Sequence, residues 1–293
     1  MRQEKVGHVT LVGGTHGNEY TGIYLLDKYR KQSGGLGNYN FDVDLYEANL
    51  RAFEANRRYL DRDLNRSFKL ADLDNEQLEG YENRRAREIN QALGPKGDSK
   101  TDMIIDLHTS TAPMGVNLVL TKTDTFHLML VDYVQQRMDN VNVTLEEMPD
   151  HHFLMSIAPR HVLVEVGAVA QGQLRQDVFD KTDMAVRLIL DFIEQYNQHK
   201  LPQPSESIDI FKYFDFAYLP LDETGDIAGM VHKNIQDRDF TLLRNGEPIF
   251  KLLNGDNVEH EGEDCYISFV NEAAYYDEKK AFAMSRKKVF HIG

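Results

Sequence analysis

Gly13-Gly14-Thr15-His16-Gly17-Asn18-Glu19 and Asp106-Leu107-His108 offer two imidazoles and a carboxylate of the kind that ligate a catalytic metal. Each motif follows a β-branched, apolar run, His8 to Val12 and Met103 to Ile105, and so is expected at a strand end. His16, Glu19 and His108 form a ligand set suited to zinc, which in catalytic sites takes three protein ligands and leaves a position open to water. Zinc held that way activates the water and polarises a carbonyl. A third run, Val162-Leu163-Val164-Glu165-Val166-Gly167, carries one acid in an otherwise apolar strand. A buried carboxylate is costly unless paired or protonated, so Glu165 marks either a salt bridge or a base. The combined expectation is a zinc hydrolase.

Each motif also has a duller reading. His16 and Glu19 match a helix start, with Asn18 or Thr21 capping and the acid in the first turn. His108 alone could be a satisfied polar residue of the interior. Their joint placement at ends of core strands favours a site, because open α/β sheets put their sites at the carboxyl ends of strands. Asp106 either points the other way along its strand or braces a ligand from behind. The glycines before His16 lack both a Gly-Lys-Ser/Thr ending and a G-x-G-x-x-G pattern, which rejects nucleotide binding there. Arg57-Arg58-Tyr59-Leu60-Asp61-Arg62-Asp63-Leu64-Asn65-Arg66 reads either as a solvated loop of weak ion pairs or as guanidinium forks for a substrate carboxylate and a carbonyl oxygen. His151-His152 reads as a surface pair, and Cys265 as packing rather than a nucleophile.

The elements that must position these residues follow from periodicity and punctuation. Strands are expected at 8–12, 44–48, 102–107, 116–121 and 161–166. Helices are expected over 21–32, 82–93, 125–138 and 181–196. Ser33-Gly34-Gly35 and Gly94-Pro95 end the first two helices, and residues 56–68 form a site loop. This alternation predicts an α/β fold, with a mixed sheet flanked by helices. Leu201-Pro202-Gln203-Pro204 marks a linker. The short strands and turns beyond it predict a second unit, which divides the chain into 1–205 and a smaller β-rich domain over 206–293.

Whole-chain properties narrow the function classes. The 293 residues carry a formal charge of −14, which disfavours binding to nucleic acid. No apolar stretch approaches the ~18 residues of a membrane span, and the N-terminus lacks the apolar core of a secretory signal. One cysteine excludes an intrachain disulfide, which fits a reducing, cytoplasmic location. The expected partner is a small molecule, not nucleic acid or a membrane; the assembly state is open, a homodimer included.

The motifs together resemble those of the aspartoacylases, within the zinc carboxypeptidase-like deacylases that include succinylglutamate desuccinylase. The resemblance spans nearly the whole chain: the two metal motifs, Asp63-Leu64-Asn65-Arg66, Val164-Glu165-Val166-Gly167 and Asn271-Glu272-Ala273-Ala274-Tyr275-Tyr276 occur in the family's order. It implies a carboxypeptidase-like domain and a smaller β domain that narrows the entrance. It implies one zinc on His16, Glu19 and His108, Glu165 as base and proton shuttle, and Arg58 on the carbonyl oxygen. Asn65 and Arg66 are implied to grip the substrate carboxylate, Tyr275 to contact substrate, and Asp63 to brace the arginines. The implied substrate is N-acetyl-L-aspartate. One departure touches that specificity: the family's side-chain-binding arginine, ten residues before the catalytic glutamate, is Met155 here. Arg160, His151 and His152 are the neighbours expected to replace the charge. Without a replacement, an N-acyl aromatic amino acid is the alternative substrate. A catalytically silent zinc or amino-acid-binding module is the alternative of a different class.

Overall fold

The computed structural model describes residues 4–31 and 35–292. The expected helix end at Ser33-Gly34 and the reading of the first residues lie outside these. In chain order the elements are β1 (His8–Gly13), α1 (Tyr20–Lys31), β2 (Asp42–Glu47), α2 (Leu50–Glu54), α3 (Leu70–Leu73), α4 (Tyr81–Leu93), β3 (Met103–Ser110), β4 (Gly115–Leu120), α5 (Thr125–Gln135), β5 (Val141–Leu145), β6 (Arg160–Gly167) and α6 (Gln176–Asn197). There follow β7 (Ser207–Tyr218), β8 (Gly229–Val231), β9 (Thr241–Leu243), β10 (Pro248–Leu252), β11 (Asn257–Glu259), β12 (Cys265–Ser268) and β13 (Lys280–His291). Short 3-10 turns lie at Leu64–Arg66, Leu154–Ile157 and Ala273–Glu278.

Ten strands form one mixed sheet in the order β2-β1-β3-β6-β4-β5-β7-β13-β12-β9. The first four are mutually parallel, and β4 runs antiparallel to β6. The C-terminal part is β-rich as expected and has its own apolar core around Leu243, Phe250, Ile267 and Phe282, while four of its strands extend the large sheet. β7 pairs with β5 through Thr144 and Leu145, and pairs antiparallel with β13 from Tyr218 back to Ser207. The β11-β10-β8 sheet is the separate piece. No helix among the described residues is long and apolar enough to cross a membrane.

β3 and β6 are buried nearly end to end, as parallel strands covered on both faces must be. Their period of two sorts the side chains. Met103, Ile105 and Leu107 of β3, with Val162, Val164 and Val166 of β6, pack with Leu25 and Leu26 of α1 and Ile189 and Ile193 of α6. Ile104 and Leu163 face the other way, into a core with Ile89 of α4, Phe68 and Leu154. Further along that second face come Asp106 and His108 on β3 and Glu165 on β6. The face is apolar where the strands begin and polar where they end. Asp106 and His108 stand two apart on one strand, so they share a face; Asp106 does not point the other way.

Candidate metal centre and substrate cavity

His16 and Glu19 leave β1 on a turn that only small residues permit. Gly14 sits at φ +71°, and a Cβ on Gly17 would come within 2.2 Å of the Ala52 backbone in α2. The compressed turn brings both side chains over the end of β3. There His16, Glu19 and His108 are buried, with one ligand atom of each within 4.8 Å of the others. His16 Nδ1 lies 3.1 Å from His108 Nδ1, 2.7 Å from Glu19 Oε1, and the His108 nitrogen lies 3.1 Å from Glu19 Oε2. Two imidazole nitrogens facing each other across a carboxylate suit a cation between them, and the N, N, O donor set fits zinc.

The far side of each imidazole is braced. His16 Nε2 lies 3.0 Å from Asp63 Oδ1. His108 Nε2 lies 3.1 Å from Asp106 Oδ2, close enough for an ion pair, although neither atom has a hydrogen bond of good geometry. The Thr15 hydroxyl donates to the other Asp106 oxygen at 2.8 Å. Such carboxylates fix the tautomer and orientation of a ligating histidine. Burial would push the Glu19 carboxyl up, but His16 and His108 outweigh it and hold the group well below its ordinary range. Burial likewise opposes charge on His108, and Asp106 and Glu19 reverse that, raising it well above the ordinary value.

Glu165 is the strand neighbour of His108 in the parallel register of β3 and β6. Burial, with Glu19 nearby, pushes its carboxyl up to about 8. A carboxyl in that state is suited to taking and returning a proton near neutrality.

The loop over 57–66 is not a solvated surface loop. Glu82, in the first turn of α4 on the buried face it shares with Ala86, Ile89 and Leu93, is fully buried, and its carboxylate accepts the backbone N–H groups of Leu60 at 2.7 Å, Asp61 at 2.9 Å and Arg62 at 3.3 Å. Asp63 accepts from Asn65 N at 2.8 Å and, through its other oxygen, from Arg58 Nε and Nη2 at 3.3 and 3.2 Å. It therefore braces Arg58 and His16 and does not itself line the cavity. Arg58 Nη1 donates to Glu19 at 3.0 Å; burial opposes its charge, and Asp63 and Glu19 hold the guanidinium above its ordinary value. Asn65 and Arg66 both line the cavity. The Asn65 side-chain oxygen accepts Leu154 N at 2.8 Å, and the Arg66 guanidinium lies 5.1 Å from the Phe153 ring centre.

The opposite wall comes from the C-terminal strands. Tyr275 lines the cavity, as do Phe216, Tyr213, Glu272 and Lys280, which sequence reasoning missed. Glu272 is buried and ties this wall to the end of β3. It accepts from the Ser110 hydroxyl, from Thr111 N at 2.8 Å and from Ala112 N at 3.3 Å, while its second oxygen caps Ala274 N at 3.1 Å. Its place in the Asn271-Glu272-Ala273-Ala274-Tyr275-Tyr276 motif was the local signal for it. The cavity, partly open to solvent, is about 270 Å³, at the small end of ligand pockets, which run from roughly 300 Å³ upward.

The residues expected to replace the missing arginine fall elsewhere. Met155 is fully buried in the core with Ile157 and Leu163. Arg160 begins β6, so four residues of strand separate it from Glu165. It lines a different cavity, lies 3.7 Å from Glu4 and rests over the Phe126 ring. His151 faces that second cavity as well; His152 does line the first, but burial, with Arg66 beside it, pushes it down to about 3, leaving it uncharged.

The succinylglutamate desuccinylase/aspartoacylase catalytic domain matches residues 5–193, and the AstE/AspA barrel-sandwich hybrid domain matches residues 206–287. A probable aspartoacylase of Trichodesmium erythraeum is 39% identical over 99% of this chain and 100% of its own length. The N-acyl-aromatic-L-amino acid amidohydrolase (carboxylate-forming) of Mus musculus is 41% identical over 97% of this chain and 92% of its own. The crystal structure of murine aminoacylase 3 superposes with a TM-score of 0.94 at 39% identity, covering 99% of this chain and 98% of that one.

Proposed function

The chain belongs to the succinylglutamate desuccinylase/aspartoacylase family, and from that membership we propose that it is a zinc-dependent deacylase cleaving the amide bond of N-acyl-L-amino acids, N-acetyl-L-aspartate foremost. The observation that carries this reading is the buried meeting of His16, Glu19 and His108 beside Glu165. A module that only bound zinc or an amino acid would need neither a carboxyl pushed up to about 8 nor a guanidinium aimed at the same point.

His16, Glu19 and His108 are the residues that would hold the zinc. When bound there, it supplies Lewis-acid polarisation of the carbonyl and lowers the pKa of water. Glu165 takes a proton from the attacking water and returns it to the leaving amine nitrogen. Arg58 uses three of its five N–H groups on Asp63 and Glu19, and the remainder can stabilise the carbonyl oxygen as it becomes anionic. Asn65 and Arg66 orient the substrate through its α-carboxylate. The unit over 206–293 closes the far side with Tyr275, and a cavity this small favours a single N-acyl amino acid over a peptide. The single cysteine, Cys265, buried and unpaired, supports a cytoplasmic setting.

An aromatic side chain is a second reading, favoured by the Phe153, Tyr213, Phe216 and Phe269 rings in the wall. The deciding experiment is a kcat/KM panel of N-acetyl amino acids on the zinc-loaded protein. Preference for N-acetyl-L-aspartate supports the first reading and preference for N-acetyl-L-phenylalanine the second. Hydrolysis of none of them overturns both.

A further inference from the structure

We propose that Lys280 is the specificity-determining residue for an acidic substrate side chain, meeting its carboxylate from the wall opposite the metal group; this rests on the deacylase reading above. An N-acylaspartate brings two carboxylates into a cavity whose Asn65 and Arg66 serve one of them. Met155 lies in the core, Arg160 is at the other end of β6, and His152 is uncharged. Among the described residues, Lys280 is the one lysine or arginine lining this cavity besides Arg58 and Arg66.

Its placement suits the task. Lys280 opens β13 at a register shift against β7, directly after the turn that carries Tyr275. Its ammonium sits 4.3 Å from the centre of the Phe216 ring and 6.0 Å from that of Tyr275, both cavity walls, and only 17% of the side chain is exposed. Aromatic faces hold a cation by electrostatic attraction without neutralising it. Its carboxylate partner, Glu278, lies 2.6 Å away and is 58% exposed. An ion pair so open to water contributes little. Exchanging Glu278 for a substrate carboxylate inside the cavity therefore gains a charge-assisted hydrogen bond at small cost.

Glu146 makes the lysine decisive. It lines the same cavity, and no lysine or arginine among the described residues lies within 4 Å of its carboxylate. Burial pushes that carboxyl up while Arg66 and Lys280 pull it down. Without Lys280, this part of the wall presents an acidic side chain with Glu146 and an uncharged His152.

The test compares N-acetyl-L-aspartate with N-acetyl-L-asparagine, its near-isosteric neutral counterpart, on the zinc-loaded full chain. Lys280→Met keeps the stem over Phe216 and removes the charge. The ratio of kcat/KM for the aspartate substrate to that for the asparagine substrate is expected to fall about 10- to 100-fold, mostly through KM, and Lys280→Arg to restore much of it. An unchanged ratio overturns the proposal, whatever happens to the absolute rates. Calorimetry with N-acetyl-L-aspartate on the Glu165→Gln protein, with and without Lys280→Met, repeats the question without turnover. If the wild type hydrolyses no N-acyl amino acid, the deacylase reading fails, and the calorimetric pair still decides for or against Lys280.

Discussion

The two sides of the cavity are built on different principles. On the metal side the charged groups hold one another in a chain: His16 is held by Asp63, Asp63 by Asn65 N and Arg58, and Arg58 by Glu19. On the far side Phe216 and Phe269 pack around Tyr275, with ring centres 5.7 and 5.6 Å from it, and Glu272 anchors this aromatic wall to the end of β3. The first arrangement fixes atoms to the tolerance that metal ligation and proton transfer demand. The second sets the size and polarity of a space, and aromatic walls can do that with many residue combinations. Chemistry is tightly specified where charges move, and selectivity is loosely specified where a side chain is only accommodated.

The sharpest way to break this comparison is to remove a member of the fastened side. His16→Ala is expected to abolish zinc binding and with it activity. Elemental analysis should read one zinc per wild-type chain and none in the variant, and exhaustively demetallated wild type that keeps full turnover would contradict the assignment. Glu165→Gln keeps size and loses the proton acceptor, so kcat should fall by at least ~10²-fold, with zinc content unchanged. A near-normal kcat would leave Glu165 a structural acid. Arg58→Ala should lower kcat by roughly 10²-fold, as removal of an oxyanion donor does, whereas Arg66→Ala should act mainly on KM because it contacts ground and transition states alike. Equal and small effects would return the loop over 57–66 to the role of a surface element. The smallest effect belongs to the loosely specified side. Tyr275→Phe should change kcat/KM only about 3- to 10-fold, the loss of one hydrogen bond, and a loss as large as that of Glu165→Gln would erase the contrast between the two walls.

Legibility in the sequence follows the same division. His16, Glu19, His108 and Glu165 could be found because metal and proton chemistry accept few residue types, and because polar groups at the ends of β-branched runs are conspicuous. Glu82 stands in line with Ala86, Ile89 and Leu93, so helical spacing places it on the inner face of α4; its partners, three backbone N–H groups some twenty residues earlier, are what no local pattern encodes. β5 was missed because Val141-Asn142-Val143-Thr144-Leu145 is short and its polar positions pair inside the sheet, where Asn117 Nδ2 donates to the Thr144 hydroxyl at 3.1 Å. β13 was missed because Arg286, Lys287 and Lys288 give its second half the look of a tail. Those side chains are exposed, yet the backbone is paired along its length with β7. Lys280 has no motif at all. Its position depends on where two distant strands meet, which no local pattern encodes.

The single sheet that runs from β2 to β9 sets an order of assembly. The proposed metal ligands are all on the chain by residue 108 and the proposed base by residue 165, on β3 and β6, which pair with each other. The far wall waits for β13, which emerges from the ribosome after every other strand described here and must find β7, emerged some seventy residues earlier. Pairings of that separation close late, because loop entropy is lost before the contacts form. On this reading the residues of the proposed metal group are in place before the far wall, so the part that governs selectivity is the last to form.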